Sequence, residues 1–217
     1  MIVYALNLGA SFLASVLRLG AGGAGAPVEL AEPIIIYEFE GCPFCRIARE
    51  AVSQTGVPVL IRPCPKGGTR FRPQVRELGG KSQFPYMIDP NTDQAMYESS
   101  DIARYLHEKF GCRRHWLHFT GPLNIMLSQF GVLVRAMSGT FRRSSRPASP
   151  PLELFGAERD PQVRLVKERL CEMELEYLWR ARGPEGHPTP LLNDINTGET
   201  RCGARSILHY LKAAYRE

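Results

Sequence analysis

The sequence predicts an α/β protein: a mixed sheet with helices on both faces, built twice along the chain. Three observations predict it. A β-branched run leads into Cys42-Pro43-Phe44-Cys45 and an amphipathic helix, strand and helix signals alternate through residue 110, and the second half repeats the pattern.

The elements follow in order. Ile34-Ile35-Ile36-Tyr37 is the β-branched and aromatic run of a buried strand, taken as 34–38. After the cysteine pair, Ile47, Ala48, Ala51 and Val52 fall on one face of a helix over 43–54. Periodicity and breakers then place a strand at 58–62, a helix at about 70–79 and strands at 86–89 and 94–97. Asp89-Pro90-Asn91-Thr92-Asp93 makes the turn between the last two strands, and a helix over 99–109 closes the unit. The order β-α-β-α-β-β-α begins with a right-handed βαβ crossover.

The second copy is visible by shifting the chain on itself. A shift of 118 lays Pro43–Glu50 over Pro161–Glu168, and Ile34–Tyr37 has a counterpart in Leu152–Phe155. A shift of 105 lays Asp89-Pro90-Asn91-Thr92 over Asp194-Ile195-Asn196-Thr197 and Ile102–Leu106 over Ile207–Leu211. The difference, 13 residues, is missing where the second helix of the second copy should be. The apolar stretch Ser15–Gly20 also resembles Leu133–Ser138, each preceding a linker of small and basic residues. The expected organisation is an apolar helix and linker over 1–32, a first module over 33–110, a connector with one apolar helix (about 122–137) over 111–150, and a degenerate module over 151–217.

Residues 1–20 are apolar enough for a signal or anchor but have no basic leading segment. Because similar material recurs in mid-chain, a helix packed on a module is preferred to a targeting remnant or a membrane contact. Arg18 and Arg135 count against either stretch spanning a bilayer. The 217 residues are 44% hydrophobic, with six cysteines and a net charge of +5, which suits one or two small domains in a reducing compartment. Basic residues cluster at Arg113-Arg114-His115 and Arg142-Arg143-Ser144-Ser145-Arg146. Solvated linkers are the simplest reading of both, an anionic membrane or acidic partner the sharper one; no aromatic interleaving suggests nucleic-acid binding.

The chemistry centres on the cysteine pair. A thiol at a helix start meets unpaired backbone N–H groups and the positive end of the helix dipole, which lower its pKa. An unperturbed thiol is only about 7% thiolate at pH 7.4, so a shift of one or two units decides its reactivity. Cys42 is thus the expected nucleophile, and Cys45, one turn on, can attack a mixed disulfide formed by it. The same spacing could be half of a zinc site, but Cys64, Cys112, Cys171 and Cys202 are single and scattered, and His115 and His118 flank Trp116-Leu117 in a loop. Redox chemistry without a metal is the preferred reading. Cys64, between two prolines, is expected to be structural, with a second redox role as the alternative.

These motifs resemble the thioredoxin superfamily, most closely glutaredoxins and the N-terminal domain of glutathione transferases. The wording Tyr37–Cys45, Arg62-Pro63-Cys64-Pro65-Lys66-Gly67-Gly68 and Gln83–Thr92 is similar to tandem glutathione-transferase-N-terminal-domain proteins of plant chloroplasts, algae and bacteria. The resemblance implies two tandem thioredoxin-like modules, the second shortened by loss of its second helix. It also implies a cis bond before Pro85 and glutathione as co-substrate. Phe84 would pair with an extended peptide, and Glu98 and Ser99 would hold the γ-glutamyl end of glutathione. Arg46 or Arg49 could meet a glutathione carboxylate, or be plain exposed helix charges. Glu98 and Ser99 could equally be helix caps. In the second copy Asp160 and Val163 replace the cysteines and Gly203-Ala204 replaces Glu98-Ser99, so that module is expected to be chemically inert.

The expected activity is glutathione-dependent thiol–disulfide exchange on protein or glutathione mixed disulfides, in a chloroplast or cytoplasm. The alternatives are glutathione conjugation or isomerisation, which the absent all-helical C-terminal domain disfavours; a redox-sensing interaction module; and iron–sulfur ligation by Cys42 with glutathione. The sequence leaves the oligomeric state open.

Overall fold

A computed structural model describes residues 2–111, 115, 121–135 and 137–217. Cys112, Arg113, Arg114, Trp116, Leu117 and His118 lie outside the described residues. The elements run α1 (Ile2–Val16), β1 (Ile34–Glu38), α2 (Pro43–Thr55), β2 (Val59–Pro63), α3 (Arg72–Gly79), β3 (Tyr86–Asp89), β4 (Gln94–Met96) and α4 (Ser99–Phe110). They continue α5 (Pro122–Val134), β5 (Leu152–Phe155), α6 (Pro161–Glu172), β6 (Tyr177–Arg180), β7 (Leu191–Asp194), β8 (Glu199–Cys202) and α7 (Ala204–Tyr215). Element ends coincide with the sequence reading or differ from it by one to three residues, as fraying ends do.

All eight strands form one sheet in the order β4-β3-β1-β2-β6-β5-β7-β8. The halves repeat the same pairings. β1 runs parallel to β2 and antiparallel to β3, which pairs antiparallel with β4; β5, β6, β7 and β8 do likewise. No helix stands between β6 and β7 among the described residues. The halves join through an antiparallel β2–β6 pair, Leu60 opposite Leu178. The core is therefore shared: Ile34, Ile36 and Val59 lie in one buried cluster with Leu154, Trp179 and Leu192.

The apolar helices cross over. α1 packs on α6 of the second half and α5 packs on α2 of the first, while α1 and α5 also pack on each other. Ser11 donates to Pro161 O at 2.9 Å, and its counterpart Ser128 donates to Pro43 O at 2.7 Å. Arg18, just past α1, pairs with Glu50 of α2 at 2.6 Å and donates to Asn124 O of α5. Arg135, just past α5, pairs with Glu168 of α6 and donates to Asn7 O of α1. Polar residues of α1 and α5 thus face inward, while Ile2, Leu6, Phe12, Phe130 and Leu133 face outward. No helix among the described residues is long and apolar enough to cross a membrane.

The basic run over 142–146 is not a free linker. Arg142 pairs with Glu174 at 2.9 Å and Arg143 with Glu172 at 2.7 Å, and Arg146 donates to Ala214 O. Acidic residues at the end of α6 neutralise two of these charges and fasten the connector to the second half.

Candidate active site

The site is built on the junction of β1 and α2. Gly41 approaches the connector so closely that a Cβ there would lie 1.8 Å from Thr140 Oγ1, so only glycine fits. Gly41 N–H donates to Gly139 O, and Lys66 N–H donates to Thr140 O, bracing the turn from the far side. Cys42 then takes the N-cap of α2, with Pro43 in the first turn, where a missing N–H costs nothing. Its Sγ accepts the backbone N–H of Cys45 at 3.3 Å.

The two thiols are driven apart. Cys42 is held below its ordinary pKa, foremost by a hydrogen bond from the Cys45 thiol. Backbone N–H groups of Cys45 and Phe44 and the Arg49 charge act in the same direction, against burial. Cys45 is pushed well above its ordinary value, first by burial, then by the bond it gives Cys42 and by the Cys42 and Glu38 charges. Such a pair holds one proton on the inner sulfur and a nucleophilic outer sulfur. Cys42 is 5% exposed and Cys45 0%.

Beside α2 lies a cleft of about 380 Å³, lined among others by Phe44 and Ile47 of α2, Glu98 and Ser99 at the start of α4, and Asn124 and Ile125 of α5. The sequence-predicted residues Glu98 and Ser99 therefore meet the cysteine motif through Phe44. Glu98 occupies the N-cap of α4 with φ +66°, but its side chain makes no cap bond and instead accepts from Gln83 Nε2. Capping by Glu98, the plain alternative, does not occur. Phe84-Pro85 is cis, and the Phe84 ring sits edge-on to Phe39 with the Arg72 guanidinium 4.6 Å from its centroid.

Arg46 is a correction. It is 4% exposed, donates to Ala14 O of α1 at 2.8 Å and lies 3.4 Å from Glu50, so it points into the junction of the halves rather than into the cleft. Arg49 is buried too, between Glu38, Glu40 and Glu158. Neither is an exposed helix charge, because α1 meets Arg46 and Glu158 of the second half meets Arg49. Cys64 is buried, its thiol donating to Arg62 O at 3.4 Å and pushed up by burial. Sequence reasoning missed Arg104 and the α5 wall of the cleft. Arg104, one turn beyond Ser100 on α4, was findable from helical spacing; the wall was not.

A larger concavity, about 780 Å³, lies at the equivalent place in the second half, around Gly203 and Ala204. Asp160 and Val163 stand there at the positions that match Cys42 and Cys45.

Residues 36–114 match the family model described as glutathione S-transferase, N-terminal domain. The match and the β-α-β-α-β-β-α order of this segment support a thioredoxin-like fold for it. Domains of this family bind glutathione in general. No curated protein matches the chain. The matched segment holds Cys42, Cys45, Phe84, Pro85, Glu98 and Ser99.

Proposed function

We propose that the chain is a glutathione-dependent thiol–disulfide oxidoreductase of glutaredoxin type. The observation that carries the reading is the opposed shift of the two thiols, Cys42 down and Cys45 up, at the start of α2. The Cys42 thiolate attacks the glutathionyl sulfur of a protein mixed disulfide. A Cys42–glutathione disulfide forms, and the protein leaves as a thiolate that takes a proton from water. A second glutathione, as thiolate, then attacks the glutathionyl sulfur, releasing oxidised glutathione and restoring the Cys42 thiolate. Alternatively Cys45 loses its proton and attacks Cys42, expelling glutathione, and two further glutathiones reduce the internal disulfide.

Glutathione would lie along the Phe84-Pro85 edge, with its γ-glutamyl carboxylate at the first N–H groups of α4 and the Ser99 hydroxyl, and its ammonium at Glu98. The half over 151–217, without thiols at the matching positions, would act as a scaffold. A chloroplast or cytosolic home, either of them reducing, suits two free thiols that must cycle.

A second reading has one observation in its favour. Ile47, Ala103 and Ile125 give the cleft an apolar side beside Phe44, suited to a small electrophile for conjugation with glutathione. Glutathione-coupled reduction of a mixed disulfide separates the two. Turnover lost in Cys42→Ser and kept in Cys45→Ser supports exchange. Absence of turnover in the folded wild type, with conjugation of a small electrophile intact, refutes it.

A further inference from the structure

α1 and α5 reverse the usual amphipathic order. A surface helix turns its apolar stripe to the core and its polar face to solvent. Here Ser11, Asn124 and Ser128 are buried, while Ile2, Leu6, Phe12, Met126, Phe130 and Leu133 are 46–77% exposed. The helices cannot roll to correct this, because their inward bonds are specific. Arg18 and Arg135, past their ends, hold Glu50 and Glu168, and Ser11 and Ser128 hold the carbonyls of Pro161 and Pro43.

With the other exposed apolar side chains of α1 and α5, the uncovered face comes to about 1,000 Å², beyond the ~300–600 Å² of the largest patch on a typical monomer. A stable protein–protein interface covers about 800 Å² of each partner, so the face has the area of one. Its charge suits a copy of itself. Neither helix contains a Lys, Arg, Asp or Glu, and Asn7 and Gln129 are the exposed polar side chains on them. Two such faces bring no like charges together.

Its symmetry suits a copy as well. α1 and α5 pack side by side and antiparallel: Arg18 past the end of α1 reaches Asn124 near the start of α5, and Arg135 past the end of α5 reaches Asn7 of α1. At a shift of 117, Asn7, Ser11 and Arg18 lie over Asn124, Ser128 and Arg135. An approximate two-fold axis therefore passes through the face, so α1 and α5 offer a second copy equivalent surfaces.

We propose that α1 and α5 form the interface of a homodimer, laid face to face on the same two helices of a second copy. The contact is isologous and closes at two chains. An apolar groove of about 440 Å³ beside α1, lined among others by Ala5, Leu8 and Phe12, would take a side chain of the partner's α5. A lipid surface suits the face less well. Interfacial helices draw on Lys and Arg at anionic headgroups, whereas the arginines past both helix ends here are turned inward. The proposal does not rest on the redox reading, since Leu6, Phe12, Met126, Phe130 and Leu133 lie outside the cleft.

The test is sedimentation equilibrium of the full chain in reducing buffer, with flotation on vesicles of neutral and of anionic phospholipid. The expected mass is twice the 24.3 kDa of one chain, and it persists at high salt because the contact is apolar. Leu133→Glu changes a side chain that is 73% exposed, so the far-ultraviolet circular dichroism should not change. It would place an unpaired carboxylate in the interface, raising the dimer dissociation constant about tenfold or more. In the wild-type dimer Met126 should be shielded from oxidative footprinting, which decides the matter should the variant fail to fold. A chain that stays monomeric, or a dimer in which Met126 is oxidised as freely as its 46% exposure in the single chain allows, overturns the proposal. So does a folded Leu133→Glu that dimerises as the wild type does. Capture of the monomer by vesicles assigns the face to lipid and overturns it equally.

Discussion

Replacing Arg135 by methionine isolates the energetics of the buried charge between the halves. Arg135 is 5% exposed and Glu168 6%. Nε of the arginine donates to Glu168 Oε1 at 2.8 Å, Nη2 donates to Oε2, and Nη1 donates to Asn7 O at 2.6 Å. Methionine fills most of the volume but leaves Glu168 buried without its pair and the Asn7 carbonyl without its donor. Breaking a buried pair on one side costs about 3–5 kcal/mol, a large share of the ~5–15 kcal/mol that holds a domain folded. Removing both partners, as Arg135→Met with Glu168→Met, removes the stranded charge and is expected to cost within about 1 kcal/mol of nothing. The double-mutant cycle in urea should therefore be strongly non-additive, the double variant costing several kcal/mol less than the sum of the two singles. The sign with pH follows from Glu168, which burial already raises. Without Arg135 its folded pKa rises further, so the deficit is greatest at high pH and shrinks as pH falls and the carboxyl protonates. A single-variant cost below 1 kcal/mol, or a double variant that costs the sum, would refute the reasoning.

Three further outcomes are expected. Cys45→Ala should move the pH midpoint of Cys42 alkylation by iodoacetamide upward, since the Cys45 thiol is the largest influence lowering Cys42; an unmoved midpoint contradicts that assignment. Gly41→Ala should destabilise the fold by about 1–3 kcal/mol through overpacking against Thr140, with partial recovery when Thr140→Ala removes the clashing oxygen, read from urea midpoints. Hydrogen bonds from Lys109, Tyr105 and Asn91 outweigh burial and hold Asp89 at about 2 against an ordinary 3.8. Its contribution is complete above the ordinary value and lost as pH falls toward 2, so Asp89→Asn should flatten the acid limb of thermal midpoint against pH; an unchanged limb excludes Asp89 as its cause.

Much of the strand and helix order was legible because apolar periodicity and turn residues report local structure. Ile34–Tyr37, the 89–93 turn and the repeat at shifts of 118 and 105 carry signals that need no partner. The reach of α1 and α5 was not legible. Their equivalence shows that they correspond, but a swapped and an unswapped arrangement would turn the same helix face inward. Arg46 and Arg49 were misread for the same reason: amphipathicity of α2 describes one core, and the helix serves two. Glu98 and Ser99 lie at the cleft because their spacing places them at a helix start, a local fact, while Asn124 and Ile125 come from a helix whose docking is non-local. The charges at 142–146 looked solvated because Glu172 and Glu174, which meet them, lie some thirty residues on.

The crossing of α1 and α5 also orders events at the ribosome. α1 is made well before the helix it rests on, which begins at Pro161, and β2 shows the open edge Val59-Leu60-Ile61 until β6 is made. The first half must wait, with an uncovered strand edge and an unpartnered apolar helix, for most of the chain to be translated. Cut between its repeats, the protein would yield two sticky fragments rather than two small domains. Two halves of like topology, joined through one sheet and exchanged helices, mature only together.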